Sequence, residues 1–508
     1  MSLPHSHHDR EPEADTPQFR PSFHFTPAAH WMNDPNGMVH HRGVWHLFFQ
    51  YHPHSAVWGP MHWGHATSTD LLHWQEQPIA LRPDALGMIF SGSAVVDVDD
   101  TAGFARAAGV QAVPLVAVFT HHGERQNPDD ITHEKQSLAC SLDDGLTWTP
   151  YAGNPVLRNP GALDFRDPKV RWLPDREHWL MVLAVGDHVA FYSSPDLKDW
   201  THESDFGTGQ GAHDGVWECP DLFPLQCVGR THWVLLVSLV QGGPNGGSAT
   251  QYFVGDFDGH RFTAPPGPTR WLDHGPDNYA GVTWSNAPGG RTVFMGWMSN
   301  WTYARQVPTS PWRSAMTLPR ELQLRRVEDQ WWVASLPAAE VQAAEGPAVT
   351  IDVNQPRNAA IDAALTDALR QTGGRLALHL QARQADGFEL TLGNEAGDQL
   401  RLGFAADEHR FFIDRRQAGQ VEFQPAFAGR HGAPRVATTP GLDLTIYLDA
   451  CSVELFADGG LCALTSLVFP RAPWATMQFE AGDGLVLDHL AVHAMPAPAS
   501  EPCAETAD

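Results

Sequence analysis

A chain of 508 residues, 42% of them hydrophobic, is too long for one ordinary domain and too apolar for disorder or a purely fibrous fold. Its 33 basic residues stand against 59 acidic ones, a formal charge of −26 that repels phosphate backbones and anionic lipid and argues against nucleic acid or a membrane as partner. No apolar run approaches the roughly 18 residues that span a bilayer.

Residues 1–20 are polar and read as a flexible tail, with His5, His7 and His8 solvated in preference to binding a metal. The opening lacks the charged-then-apolar pattern of an export signal, so a cytoplasmic location is expected for the chain as written, and secretion if a leader has been trimmed. From 21 to 337, short apolar runs such as VWHLFFQY, PLVAVFT, HWLMVLAVG, HWVLLVSLV and RTVFMGWM lie between Gly, Pro, Asn and Asp turns. Helical periodicity is missing there, and an all-β domain is expected. One unit recurs in it: a strand, then Ser or Gly, an Asp-containing turn, and an aromatic opening the next strand. Copies end at Trp74, Trp148, Trp200 and, more loosely, Phe262. A hairpin at that spacing suits the blades of a β-propeller, about five of them.

Residues 338–348 form an Ala- and Glu-rich linker with room for a short helix. From 349 to 496 alternating strands return, predicting a β-sandwich, and 497–508 read as a tail. Within this second domain AAIDAALTDALRQTG has a helical pattern, with a loop excursion as the alternative. Cys140, Cys219, Cys227, Cys451, Cys462 and Cys503 include no CxxC pair and fit free thiols in a reducing compartment. Most of the 19 tryptophans are expected in β cores, and exposed ones are platforms for sugar rings.

Three short motifs carry chemistry. In WMNDPNG, Asp34 is held between Asn33 and Pro35 with Trp31 beside it, which suits a nucleophile. In DFRDPKV, Asp167 precedes a proline and follows Arg166, and the guanidinium is expected to keep it ionised. In VWECPDLF, Glu218 lies between Trp217 and Cys219, an apolar setting that disfavours the charged form and suits a general acid. Inner strands of a propeller converge on one axial pocket. Carboxyls in distinct environments, with aromatic walls, are the equipment of glycoside hydrolysis.

These motifs, with FFQYHPHSAVWGPMHWGHATS, GMIFSGSAVV, DNYAGVTWSNAP, MGWMSNW and TSPWRSAMTLPREL, resemble those of glycoside hydrolase family 32, the β-fructosidases. The resemblance implies a five-bladed propeller followed by a C-terminal β-sandwich. It also implies a retaining β-fructofuranosidase that removes terminal fructose from sucrose, fructo-oligosaccharides, inulin or levan. Asp34 resembles the family's nucleophile, Glu218 its acid/base and Asp167 its transition-state stabiliser. Trp31, Asn33, Gln50, Trp58, Phe90, Ser91, Arg166, Cys219, Tyr279 and Trp297 match positions that line the fructose pocket. No cofactor or metal is implied, and a homodimer is a possible assembly. The rivals are a fructosyltransferase on the same framework and a non-catalytic fructan-binding protein, the latter disfavoured by the presence of both Asp34 and Glu218.

Overall fold

The computed structural model describes residues 16–124, 132–353 and 359–496. His5, His7, His8, Cys503 and the tail 497–508 lie outside the described residues. No helix among those described is long and apolar enough to cross a membrane.

The first part of the chain folds into five successive sheets. Their innermost strands are β1 (His30–His41), β2 (Met88–Val96), β3 (Phe165–Leu173), β4 (Trp217–Cys227) and β5 (Tyr279–Thr283). Each inner strand packs against the next, and β5 returns to β1, so the sheets close a ring. This is a β-propeller. Separate apolar clusters fill the gaps between neighbouring sheets. One holds Phe48 and Trp63 with Ile89 and Phe119, another Val116 and Leu138 with Phe165 and Met181. The rest join Val189 to Leu235, Phe223 to Phe294, and Trp31 and Trp45 to Trp297. The first sheet takes a strand from far along the chain: Trp312 and Arg313 pair, parallel, with His30 and Trp31.

The recurring unit is the outer hairpin of successive sheets. Ser68 bonds Asp70 at 3.0 Å, Ser141 bonds Asp143 at 2.7 Å and Ser194 bonds Asp196 at 3.2 Å. Each following indole N–H donates to a carbonyl three residues back: Trp74 to Leu71, Trp148 to Gly145 and Trp200 to Leu197. The fourth copy keeps the aspartate, whose Asp258 carboxylate takes the N–H groups of His260 and Arg261 at 2.8 Å, and buries Phe262 in place of the tryptophan.

The second part is a sandwich of a six-stranded and a five-stranded sheet. The period-2 alternation of Phe388, Leu390 and Leu392 points one side of each strand into the shared core. The segment with the helical pattern is a helix, Ala359–Gln371, that buries Ile361, Leu365 and Leu369 against this core. Asp362 and Thr366 fasten it by accepting the N–H groups of Phe479 and Met477. The linker holds the short helix Ala339–Ala343, with Val341 buried.

Buried ions join the two parts. Arg320 bonds Asp273 at 2.8 Å and Glu454 at 2.5 Å, and His24 bridges Asp449 and Glu454 at 2.8 and 2.9 Å. Arg415 of the sandwich reaches Asp277 at 2.5 Å and Tyr303 at 2.8 Å. One boundary moves. Thr16–Arg20, assigned above to the tail, are fixed: Pro17–Phe19 form a 3-10 turn, Phe19 is buried, and the Thr16 amide bonds the Ser310 carbonyl at 2.9 Å. A single aromatic in a polar segment carries no periodicity, which is why the pattern missed it.

Candidate active site

All five inner strands carry the same irregularity at the same end. Between Met32 and Pro35, Ile89 and Gly92, Arg166 and Lys169, Glu218 and Asp221, and Tyr279 and Val282, each holds one residue more than its partner strand. These are β-bulges, which re-aim side chains and leave a residue unpaired. Asp34, Ser91, Asp167 and Cys219 all fall inside them. Pro35, Pro168 and Pro220 follow three of these residues, and a residue without an N–H suits a position where the ladder is broken. Gly92 serves in β2, where a Cβ would stand 2.1 Å from the Val118 carbonyl oxygen. Asp167 and Cys219 adopt φ of 63° and 47°, an uncommon conformation for such residues and one that clusters at functional sites.

The bulges bring the three carboxyls to one cavity of about 340 Å³ at the mouth of the ring. Asp34 accepts from Asn33 Nδ2 at 2.8 Å and Ser91 Oγ at 2.9 Å, and Trp31 Nε1 fixes Asn33 at 2.7 Å. Asp167 accepts the Cys219 amide at 3.0 Å. The Cys219 thiol lies between the two aspartates, 3.7 Å from Asp34 and 3.6 Å from Asp167. Glu218 takes Arg166 Nη2 at 3.0 Å on one oxygen and the Tyr279 hydroxyl on the other. Arg166 Nη1 also holds Glu134 at 2.9 Å and Asp164 at 2.7 Å.

Electrostatics follow from burial. Burial and then the charge of Glu218 raise the Asp34 carboxyl above its ordinary range, opposed by the bonds from Asn33 and Ser91. Burial, again with Glu218, pushes Asp167 up to about 8, and the neighbouring guanidinium only partly offsets this. Burial raises Glu134 less than the bond from His122 and the charge of Arg166 lower it, and it sits at about 2. Burial and the surrounding carboxylates drive the Cys219 thiol well above its usual value, so it stays a donor.

Asn33, Gln50, Trp58, Phe90, Ser91 and Arg166 line the cavity with the three carboxyls, where the sequence places them. Trp31, Cys219, Tyr279 and Trp297 do not line it. They are buried behind it, with Tyr279 anchoring Glu218. Three local expectations change. Arg166 makes no hydrogen bond to Asp167 among the described residues. Its partners are Glu218, Glu134 and Asp164, so the guanidinium acts on Asp167 through charge alone, against burial and the charge of Glu218, which raise the carboxyl. Glu218 meets a guanidinium and a phenol instead of an apolar wall. Cys219 addresses Asp34 and Asp167, and no bond joins it to Glu218. The sequence reading also missed His122, His133, Glu134, Asp164, Val240, Trp301 and Arg305 on the cavity wall. Gln50 has a buried side-chain amide nitrogen with no partner among the described residues, a donor waiting at the wall.

The sequence profile of the glycosyl hydrolases family 32 N-terminal domain matches residues 24–334, and that of the family's C-terminal domain matches residues 340–494. A levanase of Bacillus subtilis is 43% identical over 489 residues, covering 94% of this chain and 70% of its own. An extracellular exo-inulinase of Aspergillus niger is 39% identical over 492 residues, covering 89% and 90%. The crystal structure of an exo-inulinase from Aspergillus awamori superposes with a TM-score of 0.83 at 34% identity, covering 94% of this chain and 98% of that one.

Proposed function

The chain belongs to glycosyl hydrolases family 32, and from that premise we propose that Asp34, Glu218 and Asp167 divide the work of releasing terminal fructose from sucrose and fructans. The chain is a β-fructofuranosidase acting by exo-hydrolysis. The observation that carries the division of roles is the convergence of three differently partnered carboxyls on one cavity, Asp34 and Asp167 within bulges of their inner strands and Glu218 at the edge of another.

Asp34, fixed by Asn33 and Ser91, attacks C2 of the fructosyl unit from the cavity floor. Glu218, oriented by Arg166 and Tyr279, protonates the glycosidic oxygen and then, ionised, activates the water that frees fructose with retained configuration. Asp167, whose carboxyl is raised by burial and by the charge of Glu218, accepts the Cys219 amide and faces the fructosyl unit as the transition-state stabiliser. Gln50 supplies a further unpaired donor. Five sheets around one axis support a five-bladed propeller spanning 21–337, with Thr16–Arg20 packed against it. The helix-bearing linker supports 338–348 as the boundary before a sandwich of 349–496.

The test has two parts. Chromatography of early products from sucrose, inulin and levan should give free fructose as the only early fructan product. Early oligosaccharides, or transfer products dominating at high sucrose, would overturn exo-hydrolysis. Asp34→Ala and Glu218→Ala should each lower turnover by several orders of magnitude with the fold intact. A folded Asp34→Ala variant with more than a tenth of the parent's turnover would remove Asp34 from the nucleophile's place.

A further inference from the structure

His122, His133 and Glu134 stand together on the cavity wall, and the mechanism above uses none of them as acid, base or nucleophile. One ligating atom from each lies within 4.8 Å of the other two. His122 Nδ1 is 3.1 Å from Glu134 Oε1. Two atoms each about 2.1 Å from a common ion stand roughly 3–3.5 Å apart, so this pair is already at the separation of two ligands of one ion. The imidazole of His122 is held flat against Phe90, with centroids 4.2 Å apart and planes at 19°, and His133 stands across it at 87°. The rings are thus oriented by packing before any ligand arrives. Glu134 is fully buried, and its second oxygen, Oε2, has no partner among the described residues.

We propose that His122, His133 and Glu134 form a site for a borderline divalent ion of the Zn²⁺ or Cu²⁺ class, and that its occupation closes the sugar cavity. Two imidazoles and a carboxylate are the donor set such ions prefer over Mg²⁺ or Ca²⁺. Glu134 Oε1, beside His122 Nδ1, is the oxygen that would meet the ion and is now shared with Arg166, while Oε2, with no partner among the described residues, is free to make the carboxylate bidentate. The ion then competes with Arg166 as the countercharge of Glu134. Because the same guanidinium orients Glu218 at 3.0 Å, the ion displaces the support of the acid/base as well as filling space at the wall. The arrangement is inhibitory; nothing in the proposed chemistry needs the ion. The binding claim stands on the three side chains alone, whereas the loss of turnover rests on the role proposed for Glu218.

The experiment uses the full chain with His5, His7 and His8 changed to Ala, so that the tail offers no imidazole. Cu²⁺ is titrated and followed by electron paramagnetic resonance and calorimetry. Sucrose hydrolysis is followed in parallel with Zn²⁺ and with EDTA. One equivalent of copper with nitrogen hyperfine structure is expected, weakened at least tenfold in both His122→Gln and His133→Gln. EDTA alone should leave hydrolysis unchanged, and stoichiometric Zn²⁺ should inhibit it competitively with sucrose, reversibly by EDTA. Two variants guard against one failing to fold. Copper binding that survives in the folded variants, or that shows no nitrogen pattern, overturns the site. Zinc inhibition that persists in variants that have lost the copper site places the inhibition elsewhere, with Cys219 as the thiol to examine, and overturns the inhibitory claim while leaving the proposed function untouched.

Discussion

Ser91 gives Asp34 one of the two side-chain bonds that oppose its burial, at 2.9 Å. A donor to a carboxylate favours the charged form, so its removal raises the pKa. Ser91→Ala is therefore expected to move the acid limb of kcat/KM to higher pH, read from initial rates on sucrose across the acid range; an unmoved limb would detach Ser91 from Asp34. Asp167 makes a second prediction. An acid whose folded pKa of about 8 lies above its unfolded value of 3.8 costs stability that grows as pH rises between the two. Asp167→Asn removes that cost. Its Tm should exceed the parent's at pH 7–8 by on the order of a few degrees, with the gap closing toward pH 4, while turnover falls. The carboxyls themselves were legible, because a carboxylate one or two residues before a proline at a strand start is a local signal. The Arg166–Asp167 pairing was misread for a physical reason. Both side chains reach the cavity, but the long guanidinium extends past its neighbour to Glu218 and Glu134 on the adjoining sheets, contacts that no local pattern announces. His122, His133 and Glu134 lie outside the quoted motifs, and only the closing of the ring brings them to the cavity; Trp301 closes the motif MGWMSNW but was not singled out within it.

Strands and hairpins were readable at the next scale because each repeats its own chemistry. The Ser–Asp turn before Trp148 is the clearest case: Asp143 accepts from Ser141 Oγ at 2.7 Å and from the Thr147 amide at 2.9 Å. Asp143→Ala removes the acceptor of both. It should cost about 1–2 kcal/mol in denaturant unfolding and leave turnover per folded molecule unchanged, since the hairpin lies at the outer edge of its sheet. A turnover defect without a stability defect would contradict that placement. The bulges were not readable as such. One extra residue leaves the hydrophobic alternation on both sides plausible, and only the register against a partner strand exposes it. Their punctuation was visible nonetheless: proline after Asp34, Asp167 and Cys219, and glycine after Ser91 and Ala280. At Gly281 a Cβ would meet the Phe294 ring at 2.1 Å, so the glycine answers a close approach as well as a break in the ladder.

Across the whole molecule, stability is tied to the ions buried between propeller and sandwich. His24 is itself buried, which lowers its pKa, but its bonds and charges with Asp449 and Glu454 prevail and lift it to about 9. A base whose folded pKa exceeds its unfolded 6.5 adds stability that is complete below 6.5 and lost as pH rises through 9. His24→Gln should therefore lower Tm most near pH 6, by an amount corresponding to about 3–5 kcal/mol for a broken buried ion pair, and the difference should shrink above pH 9. A gap independent of pH would make the loss one of packing alone. Two domains were foreseen from composition, but their joining was not, since each of these ions comes from a segment remote in sequence from its partner. Within the propeller itself, the pairing of His30 and Trp31 with Trp312 and Arg313 is likewise remote in sequence. A ribosome adding about 5–20 residues per second needs on the order of 15–60 s to pass from one to the other. Throughout that interval the nascent chain has an inner strand with one edge unsatisfied and Trp31 and Met32 uncovered, the state in which an edge strand recruits wrong neighbours. The sheet made first thus stays incomplete until most of the propeller has been synthesised, and the burden of guarding it during synthesis falls on whatever meets the chain as it emerges.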